Sequence, residues 1–326
     1  MLSARFVAPR RIEIETTERP EPGPTEVLLR VEGCGVCGSD LGPWRGVAGL
    51  TYPLSAGEPG HEAWGRIEQA GSAAPGARAG DRCAFLTTRG FAEYAVAEAS
   101  TLVPIPPHTE VFPGEALGCA FNIFRRSRIR ADDTVALVGV GFIGALLVSL
   151  AARTGARVIA LSRREFSVDL ARRLGAAAAV GIRDHAEAVA LVMELTGGTG
   201  CEAAIEAAGT QESLDLAGAL VATGGRLIIA GYHQDGTRRV DMRSWNWRGI
   251  DVINAHERDS RRYIAGMRAA AAQVSSGALD PAPLYTHSFA LERCAAALEA
   301  LEARPQGFVK GWIRPNNGGK ISNHEQ

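Results

Sequence analysis

Apolar and polar positions follow two different patterns along this chain, and the change comes at about residue 116. Before it, short apolar runs such as residues 27–32 and 63–69 are separated by glycine and proline turns, with no helical period. Beyond it, the apolar run 135–138 leads through a glycine turn into a helical stretch, and a second apolar run follows at 158–161. The pattern predicts a β-rich domain followed by an α/β domain.

Later apolar runs complete this picture. Residues 201–209 and 225–231 have the composition of buried parallel strands, and residues 250–254 are predicted as the last strand of that sheet. A helix at 261–276 then leads back to the first domain, which residues 307–314 close as a strand.

These elements divide the chain into two domains of ordinary size. We expect residues 1–116 and 256–326 to form the first, and residues 117–255 to form the second around a doubly wound parallel sheet. The polar tail 316–326 is predicted to be disordered.

The glycine turn of the second domain carries the pattern G-x-G-x-x-G between a strand and a helix. In that setting the pattern indicates a dinucleotide site, whose diphosphate binds the N–H groups at the helix start, rather than incidental glycines of a buried βαβ unit. The first glycine allows a tight turn, the second lets the backbone approach the diphosphate closely, and the third lets the helix pack on the strand. The predicted contacts are Gly139, Gly141, Phe142, Ile143 and Gly144.

The residues after the second strand select the cofactor. A carboxylate there binds both ribose hydroxyls of NAD, but this chain has Ser162 followed by Arg163 and Arg164. A serine does not repel a 2′-phosphate and an arginine can bind one, so we predict NADP(H) over NAD(H). The alternative is that the two arginines only cap a solvated helix start.

Residues that follow the later strands are candidates for the nicotinamide end of the site. Tyr232 and His233 come next in the chain, while His256, Trp245 and Trp247 fit a substrate pocket or a structural role equally well. The predicted neighbours of the nicotinamide are Ala208, Gly209 and Gly231.

Cys37 and His61 lie at glycine-rich turns of the first domain, and Glu62 follows directly. Thiolate, imidazole and carboxylate together form an open zinc site with one position left for water or substrate. Each residue could equally be structural, and the residues alone leave both interpretations open. A redox dithiol of Cys34 and Cys37 is disfavoured, because no helix is predicted behind it.

Six short motifs follow one another along the chain: GVCGSD (35–40), GHE (60–62), GDR (80–82), GFAEYAV (90–96), GVGFIG (139–144) and THSFALE (286–292). In these motifs, from about residue 27 to 315, the sequence resembles the medium-chain dehydrogenase/reductase superfamily, the zinc-dependent alcohol, sorbitol and threonine dehydrogenases. The resemblance implies a GroES-like catalytic domain beside a Rossmann cofactor domain.

By this resemblance, Cys37 and His61 match catalytic zinc ligands, and Ser39 matches the hydroxyl that relays the alcohol proton. Glu115 matches a zinc-site glutamate of sorbitol-dehydrogenase-like members. Glu62 matches a carboxylate that binds the metal or lies just behind it. The resemblance therefore leaves open whether Glu62 or Glu115 is the third zinc ligand.

The sequence departs from the family in two places. Only residues 83–89 separate GDR from GFAEY, so the lobe of four cysteines that holds a structural zinc is missing and we expect one catalytic zinc alone. Gly42 stands where relatives often carry a histidine, which leaves Ser39 without an outer relay partner.

Composition excludes several other partners. The net charge is −1 with no basic face, which argues against nucleic acid, and no apolar stretch suits a membrane span or a signal peptide. Six scattered cysteines do not suggest a secreted disulfide framework, so we expect a cytoplasmic protein. The family suggests a homodimer or homotetramer joined through residues 250–254.

The resulting prediction is a zinc-dependent oxidoreductase that interconverts an alcohol or polyol with its ketone or aldehyde. Two alternatives remain open. Gly42 suggests a reductase of an activated C=C bond on the same fold, and an old dehydrogenase scaffold could also serve as a non-catalytic NADPH-binding protein.

Overall fold

The computed structural model describes residues 1–315, so the predicted disorder of the tail concerns residues outside the described part. In chain order the strands β1 to β15 are Leu2–Ala8, Arg11–Thr16, Glu26–Gly35, Glu62–Ala70, Arg82–Ala84, Tyr94–Glu98, Val103–Pro104, Thr134–Val138, Arg157–Ser162, Ala178–Gly181, Cys201–Glu206, Val221–Ile229, Asp251–Asn254, Tyr285–Ala290 and Lys310–Arg314. The helices α1 to α9 are Leu41–Arg45, Gly114–Ser127, Phe142–Arg153, Glu165–Arg173, His185–Leu195, Gln211–Leu220, Met242–Arg248, Ser260–Ser275 and Cys294–Ala303.

The chain divides into two compact units. The first comprises Met1–Glu115 and the chain from Val274 onward, and the second comprises Ala116–Gln273. Residues 256–273, which the sequence prediction groups with the first domain, fall in the second unit by this division.

The first unit contains a seven-stranded sheet. Six of its strands lie in the order β14-β15-β3-β4-β5-β7, and the seventh, β6, pairs with β3. Aromatic side chains such as Phe6, Phe85 and Phe91 fill its core. The prediction that this stretch contains no helix is wrong at α1, which ends at Gly46 in the left-handed conformation (φ +83°). Glycine adopts that conformation without strain, which explains the short helix.

Glycines in β3 allow side chains of β4 to lie across the sheet. Gly35 pairs with Glu62 and Gly33 with Trp64. A Cβ atom at Gly35 would come within 1.9 Å of Glu62 Oε2, and one at Gly33 within 2.2 Å of the Trp64 ring. The space for the Glu62 carboxylate therefore depends on a missing side chain on the neighbouring strand.

The second unit contains a parallel sheet of six strands in the order β10-β9-β8-β11-β12-β13. This is the doubly wound order of dinucleotide-binding domains, and it confirms the predicted fold class. The strand order reverses between β8 and β11, where the carboxyl ends of the strands open a crevice for a ligand. The sequence did not identify β10, a short strand with one buried residue, Val180.

Among the described residues, no helix combines the length and the apolar character that crossing a bilayer requires. The cytoplasmic location stays a prediction.

Candidate functional site

Cys37, His61 and Glu62 come together at one end of the first unit's sheet. Their ligand atoms all lie within 4.8 Å of one another. Cys37 follows the end of β3, and His61 directly precedes β4, which begins at Glu62. Because β3 and β4 run antiparallel, the end of one strand meets the start of the other. A thiol, an imidazole and a carboxylate at this spacing form a donor set that fits zinc.

His61 is oriented by groups behind it. Its Nδ1 lies 2.9 Å from the carbonyl oxygen of Pro59 and 3.3 Å from Oδ1 of the buried Asp40. The other oxygen of Asp40 accepts the N–H of Cys37 at 2.8 Å, so one carboxylate positions both candidate ligands. Donation from Nδ1 leaves the lone pair of Nε2 available to a metal.

The same carboxylate affects the protonation of His61. Burial by itself lowers the pKa of His61, but Asp40 and, after it, Cys37 outweigh burial through their charge and hydrogen bonds, and together they raise the pKa well above its usual value. Ser39 Oγ lies 3.3 Å from Nε2 of the same ring. The predicted relay hydroxyl is therefore beside the candidate ligand atom.

Lys310 is a member of this cluster that the sequence analysis missed. It lies buried in β15, and its Nζ donates to Glu62 Oε1 at 2.6 Å and to the carbonyl oxygen of Val36 at 3.0 Å. Burial opposes the charge of Lys310, but Glu62 and Cys37 raise its pKa above the usual value. The signal in the sequence is a lysine between the apolar residues Phe308–Val309 and Trp312–Ile313.

Glu115 and Cys119 lie on α2, outside this cluster. Glu115 is buried in the first turn of the helix, and it does not belong to the group of three ligand atoms found among the described residues. Cys119 follows one turn later, with its Sγ 2.7 Å from the hydroxyl of Tyr263.

The glycine fingerprint has the geometry that a dinucleotide needs. Gly139 has a φ of +101°, and a Cβ atom at Gly144 would come within 2.0 Å of the Gly139 carbonyl oxygen. At Gly141, the N-cap of α3, a Cβ atom would meet nothing within 4 Å, and no side chain caps the helix. The helix start is thus open to a phosphate.

The predicted selector residues follow β9. Ser162 is the last residue of that strand and is 7% exposed, whereas Arg163 is exposed at the start of the following loop. Arg164 is the N-cap of α4, and its N–H lies 3.4 Å from Ser162 Oγ. No carboxylate occupies the strand end.

Glu206 joins the loops that carry the predicted nicotinamide neighbours, and the sequence analysis missed it. Glu206 is fully buried at the end of β11. Its Oε1 accepts hydrogen bonds from the backbone N–H groups of Ala208 and Gly209 at 2.7 and 2.6 Å. Its Oε2 lies 3.0 Å from Nε2 of His233, beyond β12. A Cβ atom at Gly231 would come within 2.4 Å of that oxygen. One buried carboxylate therefore fixes both loops.

Two family models match successive parts of the chain. The family described as the alcohol dehydrogenase GroES-like domain matches residues 23–107, and the family described as zinc-binding dehydrogenase matches residues 143–272. An alcohol dehydrogenase of Cupriavidus necator is 27% identical over 97% of this chain and 99% of its own length. A 5-exo-hydroxycamphor dehydrogenase of Pseudomonas putida is 28% identical over 89% of this chain and 93% of its own length.

Solved structures share the fold. A zinc-binding dehydrogenase from Sinorhizobium meliloti 1021, solved with NADP, superimposes with a TM-score of 0.82 at 26% identity. The match covers 96% of this chain and 99% of that one.

Proposed function

Because the chain belongs to the alcohol dehydrogenase type of the medium-chain dehydrogenase/reductase superfamily, we propose that it transfers hydride between NADP(H) and an alcohol or polyol, or the matching ketone or aldehyde, at a single catalytic zinc. The cluster of Cys37, His61 and Glu62 is the observation that carries this proposal. Zinc held there would polarise a carbonyl oxygen and lower the pKa of an alcohol.

The chain's own residues position the reactants and handle the proton. Asp40 orients His61 through Nδ1, which leaves Nε2 free to bind a metal. The Ser39 hydroxyl beside Nε2 would accept the alcohol proton and give its own proton to solvent water, because Ser39 is partly exposed and no imidazole stands at Gly42. The loops fixed by Glu206 orient the nicotinamide.

We propose Glu62 as the third ligand, since it belongs to the three-residue cluster and Glu115 does not. The purified chain should then contain about one zinc without added metal. Glu62→Gln should lower this content several-fold, because one of three ligand atoms loses its charge, while Glu115→Gln should leave it unchanged. Elemental analysis of the folded, dialysed variants measures this. The opposite pattern would assign the ligand to Glu115, and an unoccupied wild-type chain would overturn the zinc site.

The preference for NADP(H) rests on Ser162, Arg163 and Arg164, and the neighbour solved with NADP supports it. Replacing both arginines with glutamine should weaken NADPH binding by about ten- to a hundredfold, because a charged hydrogen bond contributes roughly 1.5–3 kcal/mol. NADH binding should change little. Ser162→Asp should move the preference toward NADH, since a carboxylate binds both ribose hydroxyls. Fluorescence titration with each reduced cofactor tests this, and tighter NADH binding by the wild-type chain would contradict it.

We propose that two copies of the chain pair through β13, as a dimer or as part of a tetramer. This strand is an edge of the six-stranded sheet among the described residues, and edge strands offer unpaired backbone groups. Val252 of β13 is 45% exposed, and Trp247, which precedes β13 in the chain, is 90% exposed.

The substitution Val252→Lys should halve the mass of the protein in solution, as measured by light scattering. Leu191→Lys on α5, a side chain 39% exposed, is the control that should not. A monomeric wild-type chain would overturn the proposal.

A second candidate function is the reduction of an activated C=C bond. Gly42 favours it, because this residue lies buried in α1 and offers Ser39 no imidazole at that position. Turnover of enones without turnover of any alcohol or ketone would support this alternative over the dehydrogenase.

A further inference from the structure

A cavity of about 400 Å³ lies in the second unit at the carboxyl ends of β12 and β13. Arg126 of α2 contributes to its wall, together with Tyr232 and His233 after β12 and His256 and Arg258 after β13. The remaining lining residues are uncharged, so no carboxylate among the described residues lines this cavity. Its wall is cationic.

Neither arginine of the cavity wall is held in an ion pair among the described residues. Within residues 1–315 neither Arg126 nor Arg258 forms an ion pair through its guanidinium group, and Arg126 donates to the carbonyl oxygen of His256. The nearest carboxylate in sequence, Glu257, lies 3.3 Å from Arg125 and accepts the backbone N–H groups of Arg258 and Asp259. The charge of Glu257 also acts on Arg126, but the two groups form no ion pair, and Glu257 does not line the cavity.

The histidines of the wall do not reverse this charge. Arg238 donates to Nδ1 of His233 at 2.8 Å, and Nε2 of the same ring lies 3.0 Å from Glu206, so both ring nitrogens of His233 have partners. Burial lowers the pKa of His256, and the positive charges of Arg258 and Arg126 lower it further. The positive charge of the wall therefore comes from the two arginines.

The position of the cavity relates it to the reaction. A dinucleotide crosses the carboxyl ends of a doubly wound sheet at the point where the strand order reverses. Ser162 marks the adenosine side, beyond β8, so the nicotinamide lies on the side of β11, β12 and β13. A ligand in this cavity would adjoin the ring that exchanges hydride.

We propose that this cavity binds an oxyanion of the substrate, a carboxylate or a phosphate, and that the enzyme acts on hydroxy or oxo acids or on phosphorylated alcohols in preference to neutral ones. The inference rests on the proposed dehydrogenase function and names its substrate class. Arginine binds both oxyanions through paired charged hydrogen bonds, and the polar residues Tyr232 and Asn254 line the same cavity.

Binding is tested first, without turnover. The full chain is saturated with the reduced cofactor it binds more tightly, so that the cofactor's own phosphate sites are filled, and is titrated with inorganic phosphate and then with acetate by calorimetry. Binding of at least one ion should weaken at least about tenfold in Arg258→Gln, as expected for a lost charged contact. Arg261→Gln is the matched control, because that side chain is 91% exposed and lies outside the cavity wall. Binding of neither ion, or equal binding by Arg258→Gln, would overturn the site.

Kinetics then separate the two sources of the oxyanion. Glycerol is compared with glycerol 1-phosphate, and 2-butanol with 3-hydroxybutyrate. We expect a higher kcat/KM for the anionic member of at least one pair. The ratio of the anionic to the neutral kcat/KM should fall toward one in Arg258→Gln but not in Arg261→Gln. Faster turnover of both neutral members would overturn the proposal and leave the dehydrogenase function intact. No turnover of any of the four, with ion binding retained, would count against the dehydrogenase function instead.

Discussion

Replacing Cys37 with alanine should remove the metal and lower kcat/KM for the best alcohol or carbonyl substrate by on the order of a thousandfold, since Lewis-acid stabilisation contributes several kcal/mol. The reason is that Cys37 supplies the thiol of the three-residue cluster. Binding of NADPH should change little, because the fingerprint belongs to the other unit of the chain. Zinc content, steady-state kinetics and cofactor titration of one preparation measure all three.

Cys34→Ala is the matched control for this experiment. Cys34 lies three positions earlier in the chain, and burial raises the pKa of its thiol well above the usual value, so it stays protonated and unreactive. The control should keep its zinc and its turnover. Loss of activity in both variants would point to a redox dithiol, and activity retained by Cys37→Ala would overturn the zinc mechanism.

Replacing Lys310 with methionine should lower the free energy of unfolding by about 3–5 kcal/mol, the usual effect of leaving one buried charge without its partner. Lys310 is 4% exposed and Glu62 is 1% exposed, so water cannot replace the lost ammonium group. Chemical denaturation of the metal-free chain at neutral pH is the measurement. Because the pKa of Lys310 is raised in the folded chain, its stabilisation is present at neutral pH and is lost only as pH rises through that raised pKa.

Two further variants complete this test. Arg314→Met removes an exposed charge from the same strand and should change stability by less than about 0.5 kcal/mol. The double variant Glu62→Gln, Lys310→Met removes both charges and should recover most of the loss. If the single Lys310→Met variant were as stable as the wild type, the ion pair between Lys310 and Glu62 would not stabilise the fold, and the prediction would be wrong.

The fold could be predicted to a large extent because its signals are local. Strand, glycine turn and helix follow one another within residues 134–153, and each glycine acts on its own turn. The first unit was harder to predict from the sequence. Its helix α1 has a single turn, which is too short to show a helical period, and the end of α1 depends on the left-handed conformation of Gly46.

The sequence by itself determined the chemical types in the candidate site, since Cys37, His61 and Glu62 stand in short motifs. Tertiary structure decided which of them meet. The register of β3 and β4 places Glu62 opposite Gly35, and the pairing of β15 with β3 brings in Lys310, 248 positions away in the chain. The same holds for the cationic cavity, whose arginines lie on α2 and beyond β13. Such groups are joined by sheet pairing and helix packing, and these long-range contacts leave no periodic signal in the chain.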